Sequence, residues 1–104
     1  MKVELLYFDG CPSYQRLLPR LRALVDELAP AAEASLRRVE SAEDAERERF
    51  LGSPSVRVNG VDVDPGAAGR EDFGFECRLY RWDGATSPLP REEWIREALS
   101  GGSR

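Results

Sequence analysis

Apolar residues along this chain change their spacing as it proceeds, and each spacing predicts a different element. Val3, Leu5, Leu6, Tyr7 and Phe8 form a near-continuous run broken only by Glu4, as expected of a strand buried on both faces of a sheet flanked by helices. Asp9-Gly10 reads as a turn. From Pro12 to Leu28 the apolar positions Leu17, Leu21, Leu24, Val25 and Leu28 recur at three and four, while Arg16, Arg20, Arg22, Asp26 and Glu27 occupy the other face, which predicts an amphipathic helix. Pro12 suits a first helical turn, where its missing N–H costs nothing, whereas Pro19 falls inside and should kink the helix. Ala34 to Val39 is a weaker strand. Ser41-Ala42-Glu43-Asp44 resembles a capping box opening a short helix that ends near Gly52, and the charges from Glu43 to Arg49 read as its solvated face.

After Pro54 the period becomes two. Val56 and Val58 alternate with Arg57, Asn59-Gly60 follows, and Val61 and Val63 flank Asp62, which is a strong hairpin signal. Pro65 to Gly69 is rich in turn residues. Phe73, Phe75, Cys77 and Leu79 then alternate with Gly74, Glu76, Arg78 and Tyr80, predicting a further extended segment with the apolar set, Cys77 included, on one face. Pro88 to Leu99 predicts a last helix with Pro90 near its start and Trp94, Ile95, Ala98 and Leu99 on one side, and 100–104 reads as a frayed tail. Tyr80, Trp82 and Trp94 read as packing residues. The pattern is that of a single α/β domain over 1–104, without an internal repeat.

Composition narrows the function. The 104 residues carry a net charge of −4, which argues against nucleic acid as the main partner, since phosphate binding wants a basic face. No apolar stretch approaches a membrane span, and the N-terminal run, interrupted by Glu4 and Asp9, makes a poor signal peptide, so the expected location is the cytoplasm. The chain has two cysteines and no histidine. Cys-His catalysis, His-ligated zinc and a Cys₄ zinc site are excluded, and no cofactor is implied. In a reducing compartment a lone cysteine pair is more often redox-active or metal-binding than structural.

Cys11 stands where the first strand turns into the first helix. Unpaired N–H groups and the positive end of the helix dipole there favour a thiolate, and such thiols titrate at about 3.5–7.5 against about 8.5 for a free one. Asp9, two residues upstream, opposes this shift. Cys77 reads with equal weight as a core residue or as a second thiol.

The order strand, helix, strand, helix, hairpin, helix, with Cys11 at the first junction, Pro19 eight residues on, Ser53-Pro54 before a strand and Asn59-Gly60 in the hairpin, resembles the thioredoxin superfamily over nearly the whole chain. The Gly-Cys-Pro start, the run Gly52-Ser53-Pro54-Ser55-Val56-Arg57-Val58-Asn59-Gly60 and the late Cys77-Arg78-Leu79-Tyr80 look more closely like a family of small bacterial thioredoxin-like proteins, some labelled as related to alkylmercury lyase. The resemblance implies a mixed central sheet with helices on both faces and a cis Ser53–Pro54 peptide facing Cys11. It also implies a substrate groove bordered by Pro12, Ser53 and Pro54, in which an extended substrate pairs with the backbone beside the proline. Tyr14 stands where the family's second Cys-x-x-Cys cysteine would be, and where the lyases would have a carboxylate, so exchange must be monothiol or recruit Cys77, 66 positions on.

The leading expectation is therefore a thiol–disulfide oxidoreductase or thiol-transfer protein. Cys11 is the attacking thiolate, Cys77 the resolving thiol if the fold brings it near, and Tyr14 a hydrogen-bond partner for the sulfur. A protein or small-molecule thiol or disulfide is the partner. Capture of a soft ion such as Hg²⁺ by the two thiolates, with a place in mercury resistance, is the alternative; a non-catalytic interaction module is the third. Cys11 is expected to alkylate faster than a Cys77 held on an apolar face. The oligomeric state is left open.

Overall fold

The structure is a computed structural model that describes residues 1–101. Six strands and three helices follow in the order β1 (Lys2–Tyr7), α1 (Ser13–Leu28), β2 (Glu33–Arg38), α2 (Ala42–Arg47), β3 (Ser55–Val58), β4 (Val61–Asp62), β5 (Tyr80–Trp82), β6 (Ala85–Ser87) and α3 (Glu92–Leu99), with a 3₁₀ turn at Pro65–Ala67. The first four strands make a mixed sheet in the order β2-β1-β3-β4: β1 runs parallel to β2 and antiparallel to β3, which pairs antiparallel with β4. β5 and β6 form a separate hairpin.

Alternation along β1 divides the interior in two. Val3 and Leu5 lie opposite Val58 and Val56 of β3 and, with them, meet Leu17, Leu21, Leu24 and Val25 of α1 and Ile95 and Leu99 of α3. Leu6 points the other way, into a smaller cluster with Val39, Ala45 and Phe50 beside α2. The sheet thus carries helices on both faces. β2, at its edge, is exposed along its whole length, so the weak apolar signal of 34–39 reflects a strand that buries little.

Local chemistry explains the joints. Asn59 and Gly60 take φ of 52° and 82°, the geometry of a two-residue hairpin turn that matches the twist of β3 and β4. Ser41 caps α2 by accepting the Asp44 N–H at 3.0 Å. That helix stops at Arg47, short of the expected end near Gly52, because Arg49 turns to φ 56° and the last carbonyls are taken by Arg49 N–H to Glu46 (3.2 Å) and Phe50 N–H to Ala45 (2.8 Å). This paired closure buries Phe50 against Ala45. α1 continues through Pro19, which is exposed; Gln15 loses its helical donor there, on the side open to water.

Two expectations at the C-terminal end are corrected. Residues 73–79 are not a strand, and the regular pairing begins at Tyr80, where Asp83 and Gly84 (φ 52° and 76°) close the β5–β6 hairpin. α3 begins at Glu92 rather than Pro88, since β6 extends to Ser87 and Arg91 is still extended (ψ 130°). The hairpin rests on α3 through Trp82 and Trp94, edge to face at 5.4 Å, and Tyr80 and Trp94 at 6.2 Å, as packing residues. Ser100 caps α3 by donating to the Arg96 carbonyl at 2.9 Å; the tail expected from 100 lies, from 102 onward, outside the described residues. Among the described residues no helix is long and apolar enough to cross a membrane.

Candidate functional site

β1 gives way to α1 through a tight turn in which the Cys11 N–H returns to the Phe8 carbonyl at 3.2 Å. Cys11 is delivered just ahead of Pro12, the residue preceding the first helical turn, and is only 1% exposed. Cys77 comes from the irregular segment before β5. The two are joined as a disulfide, with Cα atoms 5.7 Å apart across 66 positions.

Ser53 is the hub of this arrangement. Its N–H donates to the Glu76 carbonyl (2.8 Å), its carbonyl accepts from the Arg78 N–H (2.9 Å), and its hydroxyl accepts from the Phe8 N–H (3.3 Å). The same carbonyl lies 3.6 Å from Cys11 Sγ, where a reduced thiol can donate to it. Ser53 and Cys77 thereby form a parallel bridge, and Ser53 is fully buried with its polar groups satisfied. The Ser53–Pro54 peptide is cis, and the Pro54 carbonyl accepts the Tyr80 hydroxyl at 2.5 Å.

Beneath the bridge lies a charge cluster. Arg78 is 3% exposed; its Nη1 donates to Ser55 Oγ (2.9 Å) and Asp62 Oδ2 (2.7 Å), and its Nη2 to Asp62 Oδ1 and Asp64 Oδ2 (both 3.3 Å). Its guanidinium carbon lies 4.3 Å from the centre of the Tyr80 ring. Burial works against this charge, but Tyr80, Asp62 and Asp64 outweigh it, and the guanidinium pKa is raised. Gly52 makes room for the segment: a methyl there would lie 2.8 Å from Arg78 Cβ and 3.1 Å from its Cα, and Gly52 has φ 124°.

Burial, above all, pushes the Tyr80 phenol far above its usual value, and Asp62 and Asp64 add to this. A raised folded-state pKa contributes stability that is complete below the unfolded value of about 10 and is lost as pH rises above it. Absorbance at 295 nm should therefore show one of the three tyrosines staying protonated until far-ultraviolet dichroism reports unfolding. Release of all three protons from the folded chain would contradict this placement.

The structure brings Cys11, Ser53, Pro54 and Cys77 together, with Pro12 exposed beside them. Tyr14 is placed differently: its ring stacks on Tyr7 with centroids 4.1 Å apart, its hydroxyl accepts from Gln15 Nε2 at 3.5 Å, and it makes no hydrogen bond to either sulfur. Asp9 is turned toward Arg38, 3.3 Å away. Of the two readings of Cys77, that of a core residue on an apolar face is overturned. Phe75, Cys77 and Leu79 are exposed while Arg78 and Tyr80 are buried, so the expected alternation is inverted from Cys77 to Tyr80 and the accessible cysteine is Cys77. Sequence reasoning missed Arg78, Asp62, Asp64 and Tyr80. The available signal was the pair of aspartates flanking Val63 at period two, which asks for a cation.

A hollow of about 640 Å³ bordered by Arg49, Arg57, Asp62, Asp64, Arg70 and Phe73 adjoins the cluster, but neither sulfur lines it. Among the described residues there is no group of three or more His, Cys, Asp or Glu side chains able to hold a metal ion. Fold and site define a mixed α/β protein with a cross-linked cysteine pair held against a proline loop. Comparison with protein-family models, with curated proteins and with solved structures finds no match in any of the three.

Proposed function

We propose that this chain is a thioredoxin-like thiol–disulfide exchange protein that cycles between the Cys11–Cys77 disulfide and the dithiol. The observation that carries the reading is the meeting of the chain's only two cysteines beside buried Ser53, with Cα atoms 5.7 Å apart, inside the 4.4–6.8 Å window of a disulfide. The order β2-β1-β3-β4, the placement of α1 directly after β1, and the cis proline before β3 support the thioredoxin-like part. In the oxidising direction a substrate disulfide takes two electrons from the dithiol: one cysteine thiolate attacks it, a substrate thiolate leaves, and the second cysteine attacks the mixed disulfide to release the other. The reverse sequence reduces the protein and oxidises two thiols. A cytoplasmic setting favours this use of a cysteine pair over a structural one.

Equilibration with glutathione redox buffers, followed by alkylation and mass analysis, tests the reading. One cooperative two-electron transition is expected in the native protein, lost in Cys11→Ser and in Cys77→Ser. Cysteines that stay reduced throughout, or a disulfide that opens only on denaturation, would rule it out.

A further inference from the structure

We infer that residues 74–78 act as the site's own built-in substrate strand, so that its exchange partner is a small-molecule thiol meeting Cys77 and not an extended peptide. The inference rests on the thiol-exchange reading above and specifies its substrate class.

Recognition of an extended peptide beside the proline loop needs a free main-chain donor and acceptor there. Ser53 has neither to spare. Its N–H and C=O are both taken by the chain itself, at Glu76 and Arg78, two positions apart with Cys77 between them. That is the hydrogen-bond pattern an incoming strand would make, with a cysteine placed against Cys11 at its centre. The occupant is fastened at both ends: the Gly74 N–H bonds to the Phe50 carbonyl at 2.9 Å, and the Arg78 side chain is locked among Ser55, Asp62 and Asp64. None of these fastenings involves sulfur, so opening the disulfide leaves them in place and the edge stays filled.

Exposure then sets the direction of attack. Cys11 is 1% exposed and shielded, whereas Cys77 is an exposed residue with exposed Phe75 and Leu79 at alternate positions on either side. A small thiolate attacks Cys77 Sγ in line with the disulfide; the new S–S bond forms as the old one breaks, and Cys11 leaves as thiolate and takes up a proton. A second small thiolate attacks the external sulfur of the mixed disulfide, releasing the oxidised small molecule and the Cys77 thiolate. Two thiols are oxidised and one protein disulfide is reduced.

The test compares glutathione with a synthetic nonapeptide bearing one central cysteine, each rate of opening of the wild-type disulfide being divided by its thiolate concentration. Equal or slower opening by the peptide is expected, with no saturation. A peptide about tenfold or more faster, with a saturating rate, would overturn the inference, because it would mean that the edge is free to bind. Hydrogen exchange gives a second readout: the Ser53 and Arg78 amides should stay protected in the dithiol form, and their exchange at loop rates would also overturn it. For direction, glutathione disulfide should modify Cys77 in Cys11→Ser faster than Cys11 in Cys77→Ser; the opposite order counts against attack at Cys77. If neither thiol opens the native disulfide, the exchange reading itself fails.

Discussion

Replacing Arg78 with methionine should cost about 3–5 kcal/mol, the range for removing one partner of a buried ion pair. The side chain is 1% exposed and those of Asp62 and Asp64 are 15% and 12% exposed, so both carboxylates would be left with little water and without their ion-pair partner. Ser55 loses a donor and Tyr80 its cation partner at the same time. Against a total stability of about 5–15 kcal/mol for a domain of this kind, such a loss brings the fold close to failure. Urea unfolding of the wild type and the variant reads the difference. Restoring much of it by adding Asp62→Asn and Asp64→Asn would show that the cost is the stranded charge rather than lost packing; a variant within 1 kcal/mol of wild type, by about the size expected of an exposed pair, would contradict the cluster.

The second large effect is expected at Gly52→Ala. A φ of 124° is one that L-residues rarely adopt, costing about 1–3 kcal/mol, and the added methyl meets Arg78 backbone at 3.1 Å, where neither side can swing away. Overpacking of this kind adds about 1–3 kcal/mol. Gly60→Ala is the internal control: its φ is also positive, 82°, but nothing lies within 4 Å of the new methyl, so it carries the backbone cost alone. Thermal melts should rank wild type above Gly60→Ala and Gly60→Ala above Gly52→Ala. Equal melting of the two variants would mean that segment 76–78 yields easily, contrary to the close packing described.

How far the sequence could be read depended on whether the deciding partner was local. β1, α1 and the Asn59-Gly60 hairpin follow from neighbours within a few positions, and there pattern and structure agree to within a residue or two. Segment 73–79 fails for the opposite reason. Apolar alternation assigns Phe75, Cys77 and Leu79 to the interior, but Arg78 is the side chain that turns inward, where it meets two aspartates 14 and 16 positions upstream. The inversion is invisible to any local window. The same holds for the site. Cys11 and the proline loop are legible as motifs, and their meeting with Cys77 could be posed as an expectation. That the main chain around Cys77 fills the loop's hydrogen-bonding edge could not, because the period of the segment says nothing of the partner its backbone meets 23 to 25 positions away. The start of α3 was misplaced by the ordinary ambiguity of a Pro-rich approach, in which Ser87, not Pro90, decides where the chain turns by accepting the Leu89 N–H at 3.1 Å.

The cross-link between Cys11 and Cys77 also divides the chain topologically. It closes a covalent circle containing α1, β2, α2, β3 and β4, and leaves the central strand β1 as one free arm and β5, β6 and α3 as the other. A single backbone cut in the exposed stretch around Pro65 to Gly69 therefore yields no separate pieces while the circle is closed. The nicked protein migrates as one molecule on a non-reducing gel and as two after reduction, so a protease and a gel report the state of the two sulfurs without any label.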